Sequence, residues 1–316
     1  MMNAAKVLLA TAFISSGAGS LAQAPATPAG SHRITAQVSA TDDKPSPQAG
    51  FHRIGQPPPT YDFSDNTGFT PLFDGTLKGW SYDPAIWDIR DGAIHLSATC
   101  EKPTGTVYAV STSGEYGDFI LKYELKGTGN INGGMQFRSY VTGDPAATGT
   151  KMVPAPRLAA PPRPAPAANA ATRPQRPAGC ANPGTPPTRE SQAKYDMAGP
   201  QADFDQANHY SGMFYEQSGR AVIATPGYSM YADASGSYAM AKLFDKAQHD
   251  EWFHKDDWNQ FIVVALGHSV SIYMNGHLVT QIMDTDPKYF RASGKIGVES
   301  ESLGDLWARN ISIKKL

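Results

Sequence analysis

The chain has 316 residues, a formal net charge of −2, a pI of about 6.4 and 18% charged residues. This balance excludes a global electrostatic attraction to nucleic acid or to an anionic membrane surface. Glycine (30) and proline (25) are abundant, which favours an all-β protein with many turns over a helical one.

The N-terminus, residues 1–22, has the pattern of a secretory signal peptide. Lys6 precedes an apolar stretch, and small residues follow it up to a cleavage position after Ala22. The stretch is shorter than the roughly 20 apolar residues that a membrane-spanning helix needs. We therefore expect a secreted or periplasmic protein with no transmembrane segment after cleavage. Residues 23–65 are polar and proline-rich, and we expect a disordered leader there.

Short apolar or alternating runs begin near residue 66 and continue to residue 316. Asp91-Gly92 and Asn275-Gly276 are strong hairpin-turn signals, each between two strand-like runs. Residues 119–127 alternate with the period of two that is typical of a strand, and no long segment has a helical period. The sequence predicts one all-β domain over 66–316, a two-sheet antiparallel sandwich or jelly roll.

Residues 144–188 interrupt this pattern. The segment contains twelve prolines, five basic residues and one acid. Such a sequence cannot pair in a sheet and has little apolar surface to bury. We expect a disordered, extended insertion that serves either as a spacer or as a docking arm.

The chain has two cysteines, Cys100 and Cys180. Cys100 and Cys180 could form a disulfide in an exported protein, closing a loop of about 80 residues worth about 4 kcal/mol. Two unrelated thiols are the alternative.

The spacing of cysteines and histidines does not suggest a metal site. Asp256 and Asp257 could bind a divalent cation such as calcium, although the further ligands are missing, and no other cofactor is indicated.

The stretch "INGGMQFRS", residues 131–139, combines a turn signal with a polar strand face. Asn132-Gly133-Gly134 predicts a tight turn, and the alternation that follows predicts a strand. Gln136 and Arg138 would then share one face, where an amide and a guanidinium suit the oxygens of a ligand. A structural ion pair of Arg138 with Glu124 or a neighbouring acid is the alternative.

Six segments together resemble a bacterial sugar-active family. They are "FTPLFDGTLKGW" (69–80), "IWDIRDGAI" (86–94), "NINGGMQFRS" (130–139), "WNQFIVVALGHSVSIYMNGHLV" (258–279), "GKIGVESE" (294–301) and "LWARNISIKKL" (306–316). The family is that of the 3-keto-α-glucoside-1,2-lyase/3-keto-2-hydroxy-glucal hydratase, or 3-keto-disaccharide hydrolase, domain. The resemblance implies a concanavalin-like jelly roll whose concave face takes carbohydrate, with an oligosaccharide or glycoside oxidised at C3 as substrate.

The resemblance also implies site residues. The family's central block matches "KYDMAGPQADF" (194–204), with Asp196 in place of a glutamate. Elimination from a 3-keto sugar needs a base, an oxyanion donor and an acid. We assign these roles to Asp196, Arg138 and Glu299, respectively. Glu299 and Glu301 stand where the family tends to carry a histidine. Exposed turn residues and solvated surface charges are the alternatives for these acids.

The remaining candidates are expected to bind substrate. They are Gln136, Tyr195, Asp203, His209, Glu216, Trp258 and Glu301. Conventional hydrolysis by paired carboxylates stays open on chemical grounds. Two non-enzymatic alternatives are a carbohydrate-binding module of the cell envelope and an envelope protein whose basic, proline-rich arm docks on a partner.

Overall fold

The computed structural model describes residues 61–144 and 182–316. These residues fall within one compact unit spanning residues 59–316. The predicted signal peptide, the leader as far as residue 60, and residues 145–181 of the insertion lie outside the described residues. Within the described residues, no helix is long and apolar enough to cross a membrane.

The described part of the chain forms seventeen strands and two short helices. Their bounds are β1 Thr70–Pro71, β2 Trp80–Ser81, β3 Trp87–Arg90, β4 Ala93–Ala98, β5 Val107–Ser111, β6 Phe119–Gly127, β7 Asn132–Val141, α1 Arg189–Gln192, β8 Met197–Asp205, β9 Phe214–Gln217, β10 Ala221–Ala224, β11 Tyr228–Asp233, β12 Gly236–Lys242, α2 Lys246–Trp252, β13 Asn259–Leu266, β14 Ser269–Met274, β15 His277–Asp284, β16 Lys295–Glu301 and β17 Gly304–Lys315.

The strands pair into two sheets. One has ten strands in the order β12-β11-β15-β14-β13-β6-β17-β4-β3, with β1 also paired to β17, and the other has seven in the order β10-β9-β8-β7-β16-β5-β2. All described pairings are antiparallel except that of β11 with β15. The predicted all-β jelly roll is therefore confirmed, because two mainly antiparallel sheets pack face to face.

The core lies between the two sheets. Alternate residues of β6 (Phe119, Leu121, Tyr123) face alternate residues of β7 (Met135, Phe137), and all five are fully buried. The ring of Phe119 meets that of Phe137 edge to face, with centroids 6.3 Å apart. This period of two leaves the opposite side of each sheet for polar residues.

Both predicted hairpins form. Asp91 and Gly92 have φ of 53° and 71°, and Asn275 and Gly276 have φ of 48° and 82°. Positive φ at both central residues is what a two-residue turn needs between strands of right-handed twist.

Two segments that the sequence predicts to be disordered contact the domain at their ends. The carbonyls of Phe63 and Asp65 accept hydrogen bonds from Lys122 Nζ at 2.7 and 2.6 Å, so the end of the predicted leader contacts β6. The last residues of the predicted insertion also contact the domain, because Gly184 N donates to Cys100 O at 2.9 Å. Cys100 is disulfide-bonded, and its predicted partner Cys180 lies outside the described residues.

The predicted turn at Asn132-Gly133-Gly134 is wrong, because these residues begin β7. Gly133 pairs with Ser300 and Phe204, and Gly134 pairs with Glu299 and Asp203. A Cβ at Gly133 would lie 2.5 Å from Glu299 O, so close approach of neighbouring strands, not a turn, requires this glycine.

Candidate functional site

Acidic and amide side chains gather on the side of the seven-stranded sheet that points away from the core. We call this side the polar face. The alternation that buries Met135, Ala202 and Val298 in the core turns their neighbours outward. The polar face carries Tyr108, Gly134, Gln136, Gln201, Asp203, Tyr215, Glu299 and Glu301.

Two carboxyl groups approach each other over a glycine. Gly134 of β7 lies between Glu299 of β16 and Asp203 of β8 in the same cross-strand row. Because Gly134 has no side chain, the amide of Gln201 occupies the gap, and a Cβ at position 134 would lie 2.5 Å from Gln201 Nε2. This nitrogen is 2.9 Å from Glu299 Oε2 and 3.5 Å from Asp203 Oδ1. One amide therefore contacts both carboxyl groups.

A buried row of polar groups supports this amide. The side-chain amides of Gln201 and Gln136 are hydrogen-bonded at 2.9 Å, and Ser139 Oγ lies 2.8 Å from the Gln136 amide. Ser139 Oγ is also 3.1 Å from the carbonyl of Pro200. Buried polar networks of this kind hold their members in one arrangement. The predicted site residue Gln136 thus lies beside the acids and orients Gln201.

Burial and nearby negative charges raise the pKa values of the two acids, which favours their protonated forms. The pKa of Glu299 is raised well above its ordinary value by burial, and further by the charges of Glu301 and Asp203. The pKa of Asp203 is raised in the same way by burial and by the charges of Glu301 and Asp205. The same carboxylates and burial raise the pKa of Tyr215 at the edge of the cluster. Glu299 and Asp203 therefore keep their protons to a higher pH than ordinary carboxyl groups do, as proton donors require.

The Asp203→Asn variant is expected to be more stable than the wild type at pH 7. Because the folded-state pKa of Asp203 is raised, the folded protein holds this proton more tightly than the unfolded chain does. Wild-type stability therefore falls as pH rises above about 4 towards the raised pKa. Asparagine has no such proton to lose. A gain of about 1 kcal/mol would raise the Tm by about 2–4 °C.

Thermal unfolding followed between pH 4 and pH 8 measures this difference, which should shrink towards pH 4. The exposed Asp62 provides an opposite control, since hydrogen bonds from Ser64 lower its pKa. The Asp62→Asn variant should gain no stability at neutral pH. Equal Tm profiles for Asp203→Asn and the wild type would show that Asp203 titrates normally.

The open edge of the cluster carries further predicted residues. Glu301 is half-buried and accepts a hydrogen bond of 3.0 Å from Thr106 Oγ1. Asp205 accepts a 2.6 Å bond from the backbone N–H of Tyr210, and its other oxygen lies 3.3 Å from His209 Nδ1. The imidazole of His209 is 65% exposed. The structure thus brings Gln136, Asp203, Glu299 and Glu301 together and sets His209 at their margin.

Arg138 does not share a face with Gln136 as the alternation predicts. A β-bulge interrupts the pairing of β7 with β8 after Gln136, and Arg138 has φ of 46°. Its guanidinium, 2% exposed, donates to Gly117 O and Gly267 O at 2.8 Å and to Asp118 Oδ1 at 2.9 Å. These partners precede β6 and follow β13, so Arg138 joins the two sheets. The structural ion pair that was the alternative is therefore present, with Asp118 as the acid, while Glu124 binds Arg309.

Asp196 lies at the far end of β8 from the acidic cluster. Asp203 is seven positions further along the chain, which at about 3.3 Å per residue is roughly 23 Å along the strand. Its side chain is buried and accepts a 2.8 Å hydrogen bond from Thr142 Oγ1. Tyr195, half-buried, precedes it and has Lys194 Nζ 5.2 Å from its ring centroid. The two residues therefore lie apart from Glu299.

Glu216 belongs to a buried ion network between the sheets. Arg220 Nε lies 2.7 Å from Glu216 Oε2, and Arg220 Nη2 lies 2.6 Å from Asp284 Oδ2. Burial lowers the pKa of Arg220, but the hydrogen bonds that its N–H groups donate to Asp284 and Glu216 raise it by more, so the guanidinium stays charged. Glu216 is fully buried and paired with Arg220, so its side chain lies between the sheets and apart from the polar face.

The Glu216→Gln variant should therefore lose stability by about 1–3 kcal/mol, since one buried charge-assisted pair is weakened. Urea unfolding measures the loss, and turnover of a 3-keto-glucoside should be unchanged under conditions where the variant is folded. A variant that unfolds normally but fails to bind sugar would restore Glu216 to the site.

Trp258 lies on the other sheet, on its side away from the core. The guanidinium carbon of Arg309 is 3.8 Å from the centroid of the indole, and Lys126 Nζ is 5.1 Å away. Since β13 and β17 belong to the ten-stranded sheet, the core separates Trp258 from the acidic cluster. Trp258 is therefore not a contact for a sugar bound at Glu299.

The two aspartates considered for a divalent cation are engaged within the protein. Asp256 Oδ1 accepts a 2.6 Å bond from Gln206 Nε2, and Asp257 Oδ1 accepts a 2.7 Å bond from the backbone of Trp258. Across residues 61–144 and 182–316, no group of three or more His, Cys, Asp or Glu side chains is arranged to hold a metal ion.

Sequence reasoning missed Gln201, Tyr108 and Tyr215. Gln201 follows Gly199-Pro200, a pair that indicates a loop and hides the central strand β8. The spacing Gln201-x-Asp203 was the available signal, because alternate residues of a strand share one face.

The sequence matches the 3-keto-alpha-glucoside-1,2-lyase-like domain over residues 68–314. The chain belongs to this family. Its polar face is thus that of a carbohydrate-active family member, and the resemblance expected from the sequence motifs is confirmed. A search of curated proteins gave no match.

Several solved structures are similar at low identity. A candidate glycosyl hydrolase from Parabacteroides distasonis has 14% identity and a TM-score of 0.41, covering 79% of this chain and 94% of that chain. The carbohydrate-binding module CBM66 from Bacillus subtilis has 12% identity and a TM-score of 0.39, covering 75% and 96%. A galectin-like protein from Bacillus subtilis has 12% identity and a TM-score of 0.44, covering 76% and 90%. At these values none of them assigns a function to this chain.

Proposed function

We propose that this protein cleaves 3-keto-glucosides by elimination followed by hydration, with the site on the polar face. The observation that carries the proposal is the pair of buried carboxyl groups of Glu299 and Asp203 on either side of Gly134, whose pKa values are raised by burial. Family membership supports the choice of a glycoside oxidised at C3. Export to the periplasm or beyond remains a prediction from the sequence.

The reaction needs a base, an acid and a hydrogen-bond donor for the enolate oxygen. A base removes the proton from C2, which the neighbouring ketone acidifies, and the electron pair forms an enolate. The C1–O bond then breaks, C1=C2 forms, the ketone returns, and the leaving oxygen takes a proton. Water adds its hydroxyl to C1 and its proton to C2, so the sum of both steps is hydrolysis of the glycoside.

The polar face can supply these groups. Glu299, held neutral, suits the acid that protonates the leaving oxygen. Asp203, also neutral, suits a donor to the enolate oxygen, and one such donor is worth about 3–4 kcal/mol in a transition state. Half-buried Glu301 at the open edge suits the base. Arg138 and Asp196 have no part in this assignment.

The test is incubation of the purified protein with a 3-keto-glucoside, with the unsaturated sugar and 3-keto-glucose followed by mass spectrometry. Loss of substrate with both products is expected. Binding of the glycoside without turnover would replace this proposal by the carbohydrate-binding alternative. If the glycoside were neither bound nor cleaved, the assignment of a 3-keto sugar as substrate would be rejected. Cleavage of an unoxidised glucoside at the same rate would indicate conventional hydrolysis.

A further inference from the structure

An open pocket of about 440 Å³ lies towards the other end of the sheet that carries the acidic cluster. Strands β2, β5, β7 and β16 contribute to it, together with the loops that flank the insertion. Its lining comprises Ser81, Val110, Ser111, Thr112, Val141, Gly143, Asp144, Ala193, Lys194 and Lys295.

The pocket and the cluster share strand β16. Lys295 and Glu299 are four residues apart on one side of this strand, which at about 3.3 Å per residue is about 13 Å. Between them lies Gly297, with Val110 paired to it on β5. Met197 covers Gly297, since a Cβ there would lie 2.3 Å from Met197 Sδ. An apolar stretch thus separates two polar ends.

The two ends differ in charge. The pocket has two lysines, and its lining includes one acid, Asp144. Within the described residues neither Lys194 nor Lys295 forms a salt bridge, although Lys194 Nζ lies over the ring of Tyr195. The opposite end of the face carries the charges of Asp205 and Glu301, beside Asp203 and Glu299, whose neutral forms are favoured by burial. A negatively charged group would be repelled at that end and attracted at the lysines.

We propose that this pocket binds the leaving group of the substrate, and that the leaving group is an anionic, hydroxyl-bearing unit with a carboxylate or a phosphate. This inference rests on the proposed function. With the keto ring over Glu299, the substituent at C1 extends along the face to Lys295. The lysines pair with its anion, and the hydroxyls of Ser81 and Thr112 suit its own hydroxyl groups. Charge therefore sets the direction in which the glycoside lies.

The first experiment compares three 3-keto-glucosides, with a neutral, a carboxylate-bearing and a phosphate-bearing leaving group. The wild type should show the lowest KM for an anionic substrate. The Lys194→Ala/Lys295→Ala double variant should raise that KM about tenfold or more and leave the neutral substrate's KM unchanged. The Lys255→Ala variant, at an exposed lysine before β13, is the matched control. Equal effects on all three substrates would overturn the proposal.

The second experiment does not depend on catalysis. Free glucuronate and free glucose 6-phosphate are titrated calorimetrically into the wild type and the double variant, with glucose as the neutral control. Binding of either anion that is lost in the double variant supports the pocket and identifies its preferred anion. Absence of binding by both anions overturns it. Anion binding without turnover of any 3-keto-glucoside would reject the proposed reaction while retaining the anion site.

Discussion

The Glu299→Gln variant is expected to lower kcat on a 3-keto-glucoside by about 10²–10⁴-fold, the usual contribution of a general acid. Glutamine keeps the shape of the side chain and can still contact Gln201 at the 2.9 Å position of Glu299 Oε2. It cannot give a proton to the leaving oxygen. The loss should therefore appear in kcat far more than in KM. Steady-state kinetics at saturating substrate measures it.

The pH profile separates this role from a structural one. The wild-type rate should fall as pH rises through the pKa of Glu299, which burial places well above the ordinary carboxylic range. The residual activity of the Glu299→Gln variant should lack this decline. The Glu251→Gln variant, at an exposed acid of α2, should behave as the wild type. An unchanged kcat for Glu299→Gln would remove Glu299 from the mechanism.

The Arg138→Met variant is expected to lose about 3–5 kcal/mol of unfolding free energy. Methionine retains much of the hydrocarbon chain but leaves Gly117 O and Gly267 O without their donor, and unsatisfied buried groups cost about 1–3 kcal/mol each. Removing the ion pair with Asp118 adds to this loss. For a domain of this size the Tm should fall by at least about 6 °C. Urea and thermal unfolding measure the change.

The Arg90→Met variant provides the control, because this arginine is half-exposed and its two carboxylate contacts are 3.8 and 3.9 Å long. Its stability should change by less than about 1 kcal/mol. If Arg138→Met unfolded like the wild type but lost turnover, the guanidinium would be a catalytic donor after all. That result would return the sequence-based assignment to the mechanism.

Local rules of turn and strand chemistry predicted much of the fold. Asn275-Gly276 marked its hairpin because few other residues adopt positive φ at both positions. In β16 the same period of two buries Val298 in the core and turns Glu299 to the polar face. These features depend only on neighbouring residues in the chain, so one sequence is enough to show them.

Features that depend on distant residues were not predictable in this way. Arg138 follows the strand alternation in sequence, but a bulge turns it to partners 20 and 129 residues away. Trp258 gives no sign of which sheet will contain it. Pro200 disguises a strand that is central in its sheet, and with it the amide of Gln201 that contacts both acids.

Strand β17 lies between β6 and β4 in the larger sheet, and it pairs Leu306 with Gly127 and with Leu96. During synthesis, β6 and β4 therefore cannot complete their pairing until a strand about 180 to 210 residues later in the chain has been made. Until β17 is made, one edge of β6 lacks its strand partner, and the apolar side chains of β6 stay exposed to solvent in the nascent chain. Such remote pairing makes for slow folding, and a slowly folding polypeptide stays longer in the unfolded form that chaperones recognise.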